Sequence, residues 1–195
     1  MYTLEKTCSN TIHTCDIVIK TGKIKPIVTI TNIVSASMIS GFDVDIILKK
    51  IPGAKYRPNG FPATVISMGR MKINLYDSGK ITSTRSTTEE KAIESIYHFV
   101  KKLNSLGMDC KIESIPQISM IAAIVDYNGT IDLDALRNTA HYTKDVQSFP
   151  AIQMSFPNGV AVKAYDTKLV ITAKTIHFMI PVIDEIKKYT RNYTP

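Results

Sequence analysis

One internal echo constrains this chain more than any other feature. The segment FPATVISMGRMKINLYDSGKITST begins at Phe61, and FPAIQMSFPNGVAVKAYDTKLVIT begins at Phe149. Phe61 with Phe149, Tyr76 with Tyr165, Lys80 with Lys168 and Thr84 with Thr172 keep a nearly constant offset of about 88 residues. A period that long lies outside the range of stacked solenoid repeats, so the chain reads as one duplicated half-domain.

The stretches around the echo also read alike in the two halves. From Pro26 the run PIVTITNIVSASMI is rich in β-branched residues and predicts a strand. Ile27, Thr29, Thr31, Ile33 and Ser35 fall on one side of it, and Val28, Ile30, Asn32, Val34 and Ala36 on the other. Neither side is charged, so both must be covered, by protein or by ligand. Asp43 to Ile51 predicts a short helix with Val44, Ile47 and Leu48 inward, stopped by Pro52-Gly53. Tyr56 to Gly60 is a turn-rich loop, followed by strands over 61–68, 71–77 and 80–86, the last two joined by a tight turn at Ser78-Gly79. Thr87-Thr88-Glu89-Glu90 predicts a capping box with Thr87 as N-cap. Ile93, Ile96, Tyr97, Val100 and Leu103 then form the inward stripe of a helix closed by Gly107.

The second half repeats this order. A strand is expected over 115–125, a short helix over 131–138 with Leu133 and Leu136 inward, and strands over 149–156, 160–166 and 168–173. A helix over about 175–189 buries Ile176, Ile180, Ile183 and Ile186 and is interrupted by Pro181. The fold class is therefore α+β, a curved antiparallel sheet of two pseudo-symmetric halves with helices on one side. The halves run over 26–111 and 112–190, with an N-terminal extension at 1–25, where 15–20 predicts a short strand, and a tail at 191–195.

Charge and chemistry narrow the function classes. The net charge of +7 favours an anionic partner. Three cysteines, Cys8, Cys15 and Cys110, without an apolar leader or a membrane-length run, point to reduced thiols in an intracellular compartment. Cys8, His13 and Cys15 lie close in sequence but match no zinc-ligand pattern, so no metal is expected. His13, His98, His141 and His177 fall in unrelated contexts, and no nucleophile–base pair or carboxylate pair emerges. An enzyme is not expected, nor is a cofactor. A nucleic-acid surface fits better: Phe61 and Phe149 start one strand of each half, Tyr76 and Tyr165 end the next, and Lys80 and Lys168 flank the tyrosines. Apolar wedges beside cations on an uncharged sheet face are what unstacking a minor-groove base step requires.

These same residues carry a family resemblance. TNIVS at 31–35, YRPNGFPA at 56–63, LYDSGKITST at 75–84, TTEE at 87–90, FPA at 149–151 and AYDTKLVITAK at 164–174 occur in order. The chain resembles a divergent TATA-binding protein over about 26–190. That resemblance implies a saddle whose curved ten-stranded sheet grips the DNA minor groove with its concave face, and whose four helices lie on the convex side. It implies wedge pairs Phe61 with Tyr76 and Phe149 with Tyr165, a base-contacting Asn32, threonines at Thr84 and Thr172, and groove-lining Val34 and Ile121. It places phosphate-facing lysines at Lys80, Lys168 and Lys174. The second asparagine position of the family falls on Ser119, and the segment 142–148 lacks the acidic sequence that receives transcription factor B. The implied function is a transcription initiation factor that binds and bends A/T-rich double-stranded DNA, with a factor B-like protein and the RNA polymerase machinery as partners. It would act in a nucleus, or in the cytoplasm of an archaeal or virus-infected cell. The alternative is a protein-interaction module or regulator of the transcription machinery on the same saddle, with weak or lost DNA binding.

Overall fold

A computed structural model describes residues 4–8, 15–19, 26–59, 62–147 and 150–192. In chain order the strands are β1 (Leu4–Cys8), β2 (Cys15–Ile19), β3 (Ile27–Ser40), β4 (Lys55–Arg57), β5 (Ala63–Met68), β6 (Met71–Tyr76) and β7 (Lys80–Ser86). They continue with β8 (Lys111–Ile112), β9 (Gln117–Asp126), β10 (Gly129–Ile131), β11 (Tyr142–Asp145), β12 (Ala151–Phe156), β13 (Val160–Tyr165), β14 (Lys168–Ala173) and β15 (Thr190–Asn192). The helices are α1 (Val44–Lys50), α2 (Glu89–Ser105), α3 (Leu133–Arg137) and α4 (Ile176–Lys187). The chain divides into two compact units, one made of 32–119 and the other of 1–31 with 120–195.

The 32–119 unit is an antiparallel sheet in the order β3-β7-β6-β5-β4. Paired residues of antiparallel neighbours share a face. Ser35, Ser83, Ile73 and Ile66 form one row of the inner face, and Ser37, Ile81, Leu75 and Thr64 the next. All of these are buried, beneath a cluster that includes Ile47 of α1 and Ile96, Phe99 and Leu103 of α2. Helix α2 comes close to β7 because its contact residues are small. Ser35 donates to the Ala92 carbonyl at 2.6 Å, and the Ser95 hydroxyl bonds Ser83 at 2.5 Å. This contact turns the helix relative to the sequence expectation. Ala92, Ser95 and Phe99 are buried, whereas Tyr97 is exposed, as is Leu48 on α1. The cap also moves by one residue: Thr88, not Thr87, accepts from the Lys91 N–H, so Glu90 is not the capping-box partner.

The other unit repeats the plan with β9-β14-β13-β12-β11. Its inner rows are Ala123, Ile171, Val162 and Met154, then Val125, Leu169, Ala164 and Ile152. Helix α4 buries Met179, Ile180, Val182, Ile183 and Ile186 and runs unbroken through Pro181, which is exposed. Tyr127 is buried, and its hydroxyl donates to the Ile183 carbonyl of α4 at 2.7 Å. The β1–β2 hairpin adds β2 alongside the start of β3, with Ile17 opposite Val28. Among the described residues, no helix is long and apolar enough to cross a membrane.

Strand β3 explains its own lack of charge. Val28 and Ile30 are buried in the first part, but Ile33, Ser35, Ser37 and Ile39 are buried after it. The buried parity switches where the chain passes from one unit to the other, so both sides of the strand meet a core along part of its length.

Candidate nucleic-acid interface

In each unit the helices cover one face of the sheet and leave the other open. On the 32–119 unit the open rows are Ala36, Thr82, Asn74 and Val65, then Thr84, Lys72 and Ser67. Asn74 donates from Nδ2 to Thr82 Oγ1 at 3.1 Å. On the other unit the equivalent rows are Ile124, Val170, Lys163 and Gln153, then Ala122, Thr172, Ala161 and Ser155. Gln153, Ala161, Lys163, Val170 and Thr172 together line a shallow depression.

The two threonines singled out by the echo occupy the same place. Thr84 donates to the Lys72 carbonyl at 3.4 Å, and Thr172 to the Ala161 carbonyl at 3.5 Å. Each hydroxyl proton goes to the neighbouring strand, which leaves an oxygen that only accepts. Lys80 and Lys168 are exposed at the starts of β7 and β14, and Lys168 Nζ lies 5.8 Å from the centre of the Tyr165 ring. Tyr76 and Tyr165 are half-buried at the ends of β6 and β13. Lys174 is exposed just before the N-cap Thr175. The partner wedges Phe61 and Phe149 lie outside the described residues, as does His13. Tyr56, expected in a turn-rich loop, lies instead in β4, which it ties to the β6–β7 turn: its hydroxyl donates to Asp77 Oδ2 at 3.3 Å. The Asp77 charge holds that phenol above its usual range.

Asn32 is oriented rather than free. Its Oδ1 accepts the Arg85 backbone N–H at 2.6 Å, so the amide is left with its Nδ2 donor to offer a ligand. An N–H can only donate, so this orientation is fixed by chemistry. Val34 is half-buried on the open side, facing the Thr84–Arg85 stretch.

The second-half counterparts of Asn32 and Val34 need correction. Ile121 is 1% exposed and pairs with Ala173 on the core side, so it does not line the open face. Ser119 has the same strand parity as Ile121, and its hydroxyl donates to the Val34 carbonyl at 3.2 Å. The open-side positions of β9 are Met120, Ala122 and Ile124, one residue further on. The sequence reading passed over Lys72, Asn74, Thr82, Gln153 and Lys163, although each shares strand parity with a residue it did select. Lys72 and Asn74 alternate with Tyr76, Thr82 with Thr84, and Lys163 with Tyr165.

This architecture has known counterparts. The fold matches the solved structure of Methanococcus jannaschii TBP with a TM-score of 0.67 and 23% identity, covering 83% of this chain and 98% of that one. It is thus an α+β protein of the TATA-binding protein fold. The family described as "Transcription factor TFIID (or TATA-binding protein, TBP)" matches residues 27–106. The TATA-box-binding protein of Methanococcus maripaludis is 26% identical over 171 residues, covering 84% of this chain and 94% of that protein. That of Pyrodictium occultum is 27% identical over 154 residues, covering 76% and 77%. Residues 27–106 thus match that family model, and over most of its length the chain is similar to TATA-box-binding proteins.

Proposed function

We propose that this protein is a transcription initiation factor that binds A/T-rich duplex DNA in the minor groove through the open sheet faces and bends it. The observation that carries this reading is the pair of matched open faces. Each holds a threonine in the same register, Thr84 or Thr172, with an exposed lysine at the start of the same strand. Minor-groove edges of A·T pairs offer acceptors only, and the Nδ2 of Asn32 is a donor suited to them. The repeats 26–111 and 112–190 each contribute one DNA-facing sheet face, and Phe61 with Tyr76 and Phe149 with Tyr165 act as wedges. Lys80, Lys168 and Lys174 meet phosphates. A transcription factor B-like protein and the polymerase machinery are the partners.

The test is anisotropy titration on a TATA-containing and a scrambled duplex over a range of salt, with energy transfer between dyes at the duplex ends. Specific binding with an end-to-end shortening is expected. Shortening should vanish when Phe61 and Phe149 are both replaced by alanine, because base-step unstacking then has no wedge. A protein that leaves every duplex unbound, or binds it straight, refutes the reading and points to a protein-interaction module.

A further inference from the structure

Strands β7 and β14 stay in step from Lys80 and Lys168 as far as Thr84 and Thr172, and then slip by one residue. Thr84 and Thr172 lie about 88 residues apart, whereas the helix caps Thr88 and Thr175 lie about 87 apart. Strand pairing locates the difference. In one unit Thr172 pairs with Ala122, and the next residue, Ala173, pairs with Ile121 and is buried. In the other, Ser35 pairs with Ser83 and Ile33 with Ser86, so three steps along β7 face two along β3. The extra residue is Arg85, the centre of a β-bulge absent from the other half.

Arg85 has φ +68, a conformation that glycine takes freely and a long side chain disfavours. Ser83 and Ser86 on either side of it are buried against the core. The two residues between them, Thr84 and Arg85, therefore project together on the open side. Arg85 is exposed, and among the described residues its guanidinium makes no ion pair or hydrogen bond. Its backbone N–H holds the Asn32 amide. A strained, unpaired cation is thus inserted beside an amide left with its donor to offer.

We propose that Arg85 is a DNA-contacting residue confined to the first half, its guanidinium binding acceptor atoms of an A/T-rich duplex next to Asn32. The proposal rests on the DNA-binding reading above. A guanidinium offers five donors and no acceptor, and Asn32 adds a further donor. Phosphate oxygens and the N3 and O2 atoms of A·T edges share the required acceptor chemistry. A G·C pair adds an amino donor that would face this donor set.

Arg85→Gly removes the guanidinium, keeps the backbone N–H and suits the positive φ, so the variant should melt no lower than wild type. Its binding would be measured on three duplexes: a TATA site, the same site with inosine–cytosine pairs in place of A·T, and the same with G·C. Salt would be varied from about 50 to about 200 mM. The expected result is a loss of about tenfold on the TATA duplex, the scale of a single base-directed contact. A base-edge contact confines the loss to the A·T and inosine–cytosine duplexes, which look alike from the minor groove. A phosphate contact weakens all three alike and lowers the salt slope by about one. Either pattern supports the assignment and identifies the atoms bound. Wild-type affinity, slope and preference in the variant would overturn it while leaving DNA binding itself intact. A wild-type protein with no affinity for any of the three overturns both.

Discussion

Asn32 offers the sharpest separation of a structural role from a recognition role. Its Oδ1 accepts the Arg85 N–H, which leaves Nδ2 as the donor that Asn32, on the open side of β3, can offer a ligand. Asn32→Ala removes both functions. Arg85 is exposed, so water can replace the lost acceptor, and the cost to stability is the net value of one hydrogen bond, about 1 kcal/mol. For a chain of this length that lowers the melting temperature by about 2–4 °C. Asn32→Asp behaves differently. Its carboxylate accepts the same N–H at least as well, so the variant should melt like wild type at neutral pH. The Nδ2 donor, however, becomes an anionic acceptor facing acceptor edges and near phosphates. Binding to the TATA duplex should fall further than in the alanine variant, which loses about 1–3 kcal/mol of discrimination. Thermal melts by circular dichroism and anisotropy on the TATA and G·C duplexes give both readouts. Equal melting of the two variants, or tighter DNA binding by Asn32→Asp than by Asn32→Ala, would refute the assigned geometry.

Three further outcomes follow from the cores of the two units. Thr64 Oγ1 is buried with no hydrogen-bond partner, so Thr64→Val should raise stability by about 1 kcal/mol, read as a shifted denaturant midpoint with unchanged slope. Burial, and secondarily the Asp184 charge, hold the Tyr127 phenol well above its usual range. Folding then favours the protonated form. Stability from this group is complete below about pH 10 and declines as pH rises beyond it, and Tyr127→Phe should flatten that alkaline decline. A methyl group at Gly79 would sit 2.4 Å from the Ile39 carbonyl oxygen at φ +85, so Gly79→Ala should cost at least about 2 kcal/mol; a wild-type melt would contradict that packing.

The duplication was legible because it is carried by residue identity. Phe61, Tyr76, Lys80 and Thr84 recur as Phe149, Tyr165, Lys168 and Thr172, and no tertiary information is needed to align them. The four helices and the longer strands followed from local periodicity with limits shifted by a residue or two, 71–77 becoming Met71–Tyr76. The short strands β1, β4, β8, β10, β11 and β15 carry too few residues to show a period and were not anticipated. The inner stripe of α2 was harder. Ala92 and Ser95 carry no hydrophobic signal, yet they are buried because the serines of β3 and β7 let the helix approach closely.

The sequence alone determined a twice-built α+β fold in which an uncharged strand opens each half and lysines edge the hairpins. Only the tertiary structure decided which side of each strand is open. On β9 both parities are apolar, so Ser119 and Ile121 were as plausible as Met120 and Ala122 until pairing with β14 placed Ile121 over the core. On β3 the buried parity changes partway along, which a periodic reading of one strand cannot register. Arg85 sits where β7 slips by one residue against β14 of the other half, and its meaning depends on the strand opposite it. A bulge is a mismatch in pairing count between two strands, and neither strand's sequence contains that count by itself.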